Sequence, residues 1–230
     1  MNMLKEPGRL SRIWQAGEHG LVGVDATAIL LEDKDFEISG TNAVDGNCTY
    51  DPERGLKLTT QSAAADQVAL LPAAGVDNIS WFREITWGTD QETHFEALIE
   101  TQVLEATGII VAGLLLTFPA TFAKGDDADR VLFNYEQATD TNWMIAVNIG
   151  STDLDIDTGV VVTASTVYHF RIEIDRSRRA YCYINDELVY VSTALTDAVD
   201  FLPAVAIEEG STNPQVVAVQ AIGMSRKAGA

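Results

Sequence analysis

The chain has 230 residues, 47% of them hydrophobic, and sets 34 acidic side chains against 15 basic ones for a formal charge of −19. A chain of this size buries roughly 70% of its unfolded surface without disulfide or metal staples, and no run in it approaches the ~20 apolar residues of a membrane span. The charge argues against nucleic acid and anionic membranes as partners, because both are gripped by cations, and it favours partners that present basic surface.

In chain order, residues 1–25 are irregular, with Pro7, several glycines and a lone Trp14, and read as an extended N-terminal arm. Residues 26–230 read as one β-sandwich domain. The arm is basic: Lys5, Arg9 and Arg12 outweigh Glu6 to give +2 over residues 1–17, and Arg226 with Lys227 adds +2 at the tail, so the body between carries −23. Strands are expected near 28–38, 55–60 and 67–71, with a loop over 45–55. In 94–103, Phe95, Ala97, Ile99 and Thr101 share one side, while His94, Glu96, Leu98 and Glu100 share the other. That period of two marks a strand buried on one face.

The apolar run 109–118 is strand-length and ends at Pro119, which cannot donate to a sheet ladder; 119–129 reads as a loop. Alternation returns in 130–136 (Val131, Phe133, Tyr135), in 142–149 (Trp143, Ile145, Val147, Ile149) and in 167–175 (Tyr168, Phe170, Ile172, Ile174). A short strand is expected at 159–163. Residues 180–193 form a hairpin about Asn185-Asp186, two residues that tolerate positive φ. Gly is the more usual second residue, so the turn is either strained or longer than two residues. Strands near 202–207 and 215–224 close the set. Many strands with short polar turns imply two packed antiparallel sheets.

Candidate chemistry is sparse. Glu96 and Glu100 stand four apart on one strand face, and paired carboxylates hydrolyse glycosidic bonds. Glycanases of sandwich fold carry a tighter acidic cluster, whereas Glu96-Ala-Leu-Ile-Glu100 has no central acid, so a solvated strand face is expected. Asp153, Asp155 and Asp157 resemble the start of a calcium loop, but Thr158 and Ala164 stand where an EF-hand needs Gly and an acid; so acidic a chain produces such clusters by composition, and no metal or cofactor is expected. His19, His94 and His169 lack zinc spacing and read as surface residues. No phosphate loop, nucleophile elbow or Cys-x-x-Cys occurs, so no enzyme activity is expected. Trp81 and Trp87 are candidates for exposed sugar-stacking platforms, and Trp143 for the core. Cys182 reads as a small core residue. With two cysteines and no signal-peptide core, folding in a reducing cytoplasm is expected.

The order of segments in the second half carries a resemblance. It runs through His94-Phe-Glu-Ala-Leu-Ile, Ala112-Gly-Leu, Asp126-Asp-Ala-Asp, Phe133-Asn-Tyr-Glu, Asn142-Trp, Ser151-Thr-Asp, Asp157-Thr-Gly, Tyr168-His-Phe-Arg-Ile-Glu-Ile-Asp, Tyr183-Ile-Asn-Asp-Glu-Leu-Val and Pro203-Ala-Val. Over residues 90–225 this resembles the concanavalin A-like (laminin-G-like) jelly-roll domains of tailed-bacteriophage virion proteins. The resemblance implies an all-β jelly-roll sandwich on the outside of a virus particle. On that basis the expected function is capsid decoration: a cement protein binding the major capsid protein or another virion protein without covalent bonds, as a homo-oligomer, a trimer being one form. Lys5, Arg9, Arg12 and Trp14 of the arm are the expected partner-binding residues, since Trp and Arg concentrate at interfaces. The alternative is a carbohydrate-binding tail or fibre module for host attachment.

Overall fold

A computed structural model describes residues 9–15, 36–72, 74–75, 78–79, 81–116, 129–210 and 213–227. In chain order the strands begin with β1 (Arg9–Gln15), β2 (Phe36–Ser39), β3 (Cys48–Asp51), β4 (Gly55–Thr59), β5 (Gln67–Pro72), β6 (Ala74–Gly75) and β7 (Asn78–Ile79). A single helical turn, α1 (Trp81–Glu84), precedes β8 (His94–Val103), β9 (Ile109–Leu115), β10 (Arg130–Glu136), β11 (Asn142–Ile149) and β12 (Thr152–Val161). The chain closes with β13 (Thr166–Ile174), β14 (Arg179–Ile184), β15 (Glu187–Ala194), β16 (Leu202–Glu208) and β17 (Val216–Lys227).

Two antiparallel sheets hold all but the short β6–β7 hairpin. One has eight strands in the order β15-β14-β13-β8-β17-β4-β3, with β1 also on β17; the other has seven, in the order β12-β11-β10-β9-β16-β5-β2. The expected two-sheet sandwich is therefore the fold. Its core follows from the alternation read in the sequence. Phe95, Ala97 and Ile99 of β8 and Tyr168, Phe170 and Ile172 of β13 face Phe133 of β10 and Trp143 of β11, all buried. Phe170 stacks on Phe133 at 4.5 Å between ring centroids and takes the edge of Trp143 at 4.8 Å. Such pairs add to the area term and fix the approach of the two sheets.

The seven-stranded sheet is buried on its other face too. Ala69, Leu71, Ile109, Val111, Leu115, Leu132, Ala146, Ala204 and Ala206 form a second apolar cluster there. This is why β9 reads as an unbroken apolar run instead of an alternating one. Within it Gly113 has φ +150°, and a Cβ would lie 2.4 Å from the Val131 carbonyl oxygen, so only glycine fits this crossing.

Strand β17 serves two neighbours on one side. Its first half pairs with β4, Val219 opposite Leu56, and its second half pairs with β1, Ala221 opposite Gln15. On its other side the register against β8 slips between Val219 and Ala221, leaving Gln220 as the extra residue of a bulge. Within the arm expected over 1–25, Arg9–Gln15 is a strand of the sheet, with β17 as its sole strand partner among the described residues. The remainder of the arm, including Lys5, lies outside the described residues.

Three local expectations change. The loop expected over 45–55 contains β3, whose Cys48 is fully buried beside Leu56 and Leu58. Asp153, Asp155 and Asp157 are on β12, alternating outward on an edge strand and exposed, not on a loop. Trp87, a candidate surface platform, is fully buried, and its backbone N–H donates to Asp200 at 2.6 Å. Trp143 and Cys182 are core residues as expected.

Candidate functional site

The outer face of the eight-stranded sheet gathers most of the side chains with chemistry. Strand β8 presents His94, Glu96, Leu98 and Glu100, and β13 beside it presents His169, Arg171 and Glu173. Strand β14 adds Tyr181 and Tyr183, in register with Glu173 and Arg171. In this pairing Leu98 is opposite His169 and Glu96 is opposite Arg171, so His169 lies diagonally from Glu96, within reach of long side chains.

The expected solvated face is not solvated at its centre. Glu96 is 2% exposed and Glu100 8%. A buried carboxylate must find donors or destabilise the fold. Glu96 Oε1 meets His169 Nε2 in a short contact. Its other oxygen, Oε2, is buried and has no hydrogen-bond partner. Glu100 is held by Arg54 of the β3–β4 turn, Nη1 donating to Oε1 at 3.0 Å.

His169 is itself held from behind. Its backbone N–H donates to Asn185 Oδ1 at 2.9 Å, and Asn185 N–H donates back to the His169 carbonyl at 2.8 Å. The hairpin turn thereby clamps the strand that carries the imidazole. Arg171 lies 3.8 Å over the Tyr183 ring and pairs with Glu173 and, at 3.8 Å, with Asp186. His94 is a different case: burial, reinforced by the charges of Arg9 and Arg171, pushes it down to about 3, so it is neutral at ordinary pH.

A cavity of 120 Å³ opens against this cluster, lined among the described residues by Glu96, Ala97, Leu98 and His169. About 10–15 Å³ of such volume admits one water, so the space takes a ligand group larger than a few solvent molecules. Among the described residues no cluster of His, Cys, Asp and Glu could hold a metal ion, and no helix is long and apolar enough to cross a membrane.

Of the residues expected to bind a partner, Arg9 donates from Nη2 to the Glu92 carbonyl at 2.5 Å and from Nε to Ser225 Oγ at 3.2 Å, contacts within its own sheet. Arg12 and Trp14 occupy β1 opposite Met224 and Ile222. His19 lies outside the described residues. The sequence reading passed over Glu96 and His169 as a pair. Alternation put Glu96 on an outer face, but the partner comes from a strand 73 positions later, and only the β8–β13 register joins them.

No family model matches the chain, and no curated protein matches it in sequence. Solved structures do match in shape. An endo-acting O-glycanase of the human gut microbiota superposes with a TM-score of 0.64 at 10% identity, covering 93% of this chain and 97% of that one. The fold is a concanavalin A-like jelly roll. A protein of unknown function from Shewanella oneidensis MR-1 aligns at TM-score 0.60 and 11% identity over 96% of this chain and 87% of its own. The β-glucanase of Bacillus licheniformis aligns at 0.58 and 10% over 85% and 94%. Proteins of this jelly roll thus include glycoside hydrolases, and at such identities the likeness is one of fold.

Proposed function

We propose that this protein binds a glycan on the outer face of its eight-stranded sheet, at the cavity beside Glu96. The observation that carries the reading is that Glu96, a residue lining that cavity, keeps one buried carboxyl oxygen, Oε2, without a hydrogen-bond partner. Leaving such a group unpaired costs about 1–3 kcal/mol, and more when it is charged; a sugar hydroxyl supplies the missing donor. Leu98 gives apolar surface against which a ring's C–H face packs. An apolar lining with a few placed polar groups is the usual make-up of a small-ligand site. The shared jelly roll with glycan-acting proteins supports the same reading.

The placement of the carboxylates supports binding without cleavage. Glu96 and Glu100 are drawn to opposite sides of β8, and Leu98 stands between them where a third acid would assist. In the setting that the sequence resemblance implies, such a module belongs to a phage tail or fibre and attaches the particle to a host-surface glycan. The capsid-cement role through Lys5, Arg9, Arg12 and Trp14 rests on that resemblance and on the charge of the arm. Isothermal titration of the full chain against a panel of oligosaccharides tests the proposal. Wild type is expected to bind at least one, with affinity reduced tenfold or more in Glu96→Gln and His169→Ala; a flat response across the panel ends the reading.

A further inference from the structure

On the reading that the Glu96 cavity holds a glycan, the neighbouring corner of the same sheet decides what that glycan carries. We infer that Arg176 and Lys227, with Arg9 beside them, bind an anionic substituent, a carboxylate or a sulfate, on a glycan seated at the cavity. Three elements bring these cations to the turn before β8. Arg176 of the β13–β14 turn donates from Nε to Glu92 Oε1 at 2.8 Å, and Lys227 at the end of β17 donates from Nζ to the same oxygen at 3.1 Å. Arg9 of β1 donates to the Glu92 carbonyl and to Ser225. The turn is fixed from behind. Lys227 N–H donates to the Gln91 carbonyl at 3.0 Å, and Glu92 is held at φ 49°, a left-handed conformation that a non-glycine residue keeps only where its surroundings impose it.

One carboxylate is thus shared by two cations, and both are open to a ligand: the Arg176 side chain is 77% exposed and that of Lys227 39%. Among the described residues Arg176 is bonded through Nε alone, which leaves its two terminal nitrogens to grip a carboxylate or sulfate. The other acids nearby are occupied or turned aside. Glu173 is taken up by Arg171 and Asp175 by Arg179. Asp90 folds back on Gly88, where an added Cβ would lie 2.6 Å from its Oδ1. A positive potential is felt independently at His94, which burial and then the Arg9 and Arg171 charges hold neutral. In a chain of formal charge −19 this corner is a local reversal of sign, able to hold an anion that the rest of the surface repels. It is also close to the cavity. His94 is opposite Ser225, which Arg9 holds, and stands two positions from Glu96 on the same face of β8. That step spans about 7 Å, and the Glu92 turn follows directly, so the units adjoining a sugar at the cavity reach the cations.

The test uses the full chain and calorimetric titration with length-matched hexasaccharides: neutral glucan, mannan and xylan on one side, alginate, oligogalacturonate and a sulfated galactan on the other, with inorganic sulfate and phosphate as free anions. At least one acidic sugar is expected to bind tenfold or more tighter than the best neutral one. Arg176→Gln and Lys227→Gln are each expected to cut that advantage at least fivefold, with circular dichroism and Tm confirming the fold. Acidic sugars that bind no tighter than neutral ones overturn the inference and leave glycan binding at the cavity standing. An advantage that survives in both variants, or a loss that falls equally on neutral and acidic sugars, overturns the assignment to this corner. Free sulfate or phosphate binding as tightly as the acidic sugars overturns the glycan as the source of the anion. Binding to none of the sugars overturns the inference and the glycan reading together.

Discussion

Glu96 and Glu100 share one face of β8 yet turn away from each other, Glu96 toward His169 on β13 and Glu100 toward Arg54 beyond β17 on the opposite side. Their Cα atoms, four residues apart on a strand, are separated by about 13 Å. Glycosidases bring their two carboxyl groups to about 5–5.5 Å or 6.5–9.5 Å, and here each side chain is tied down on the side away from the other. The protein is accordingly expected to release no reducing ends from β-glucan in a sensitive sugar-release assay. Turnover that disappears in both Glu96→Gln and Glu100→Gln would show that the two groups converge on substrate after all.

Acid should loosen the fold through His94. Its folded pKa is about 3 against an ordinary 6.5, so between those values the unfolded chain takes up a proton that the folded chain refuses. The contribution to stability is complete above about pH 6.5 and falls by roughly 1.4 kcal/mol per pH unit as the pH drops toward 3. Glu92 and Asp175 are also sensitive. Arg176 and Lys227 hold Glu92 below the carboxylate range, while Asp175 is pushed up by burial but drawn down further by Arg179 and Ser177. Their effect enters below about pH 4.5; Asp200, raised by burial, acts in the opposite sense to His94, so the His94→Gln comparison isolates the histidine. Urea midpoints measured from about pH 6.5 down to about 5 should fall with pH in wild type and much less in His94→Gln.

The β14–β15 hairpin turns in two residues, with φ 52° at Asn185 and 66° at Asp186. Both sit in the left-handed region that Gly occupies without penalty. Asp186→Gly should raise Tm by about 1–2 °C, since the Asp186 contacts to His169 and Arg171 are long and solvent-exposed. Asp186→Val, β-branched at a positive φ, should lower stability by more than ~1 kcal/mol. Equal Tm values for the two variants would mean that the turn adapts its backbone.

Removing residues 1–17 deletes β1 and bares the second half of β17, seven paired positions in all. The truncated chain should keep its sheet signature in circular dichroism but melt at lower temperature. It should also self-associate, because an uncovered edge recruits another strand. A monomer with unchanged Tm would show that β1 adds nothing to the sandwich.

Strands were legible wherever one face is core and the other polar. Phe95, Val131, Trp143 and Phe170 each lead an alternation that the sheets reproduce. Where both faces are buried, as in β9, the period vanishes and length alone marks the strand. Strand β12 was concealed by composition: Asp153, Asp155 and Asp157 looked like a cation loop, although Leu154 and Ile156 alternate with them. The site was less legible than the fold. Nothing local distinguishes Glu96 from a solvated residue, because its burial and its imidazole partner depend on the pairing of β8 with β13. The diagonal from Glu96 to His169 exists in that register alone and would be lost by a slip of one residue.

The antiparallel pairing of β1 with β17 sets Arg9 directly across from Lys227. Tension applied through the segments before Arg9 and after Lys227 therefore enters the sheet at a single corner and loads the ladder one rung at a time. Such a joint peels at low force, starting from that corner. A sandwich tethered through both flanks would yield there first, while the strand pair carrying Glu96 and His169 stayed closed.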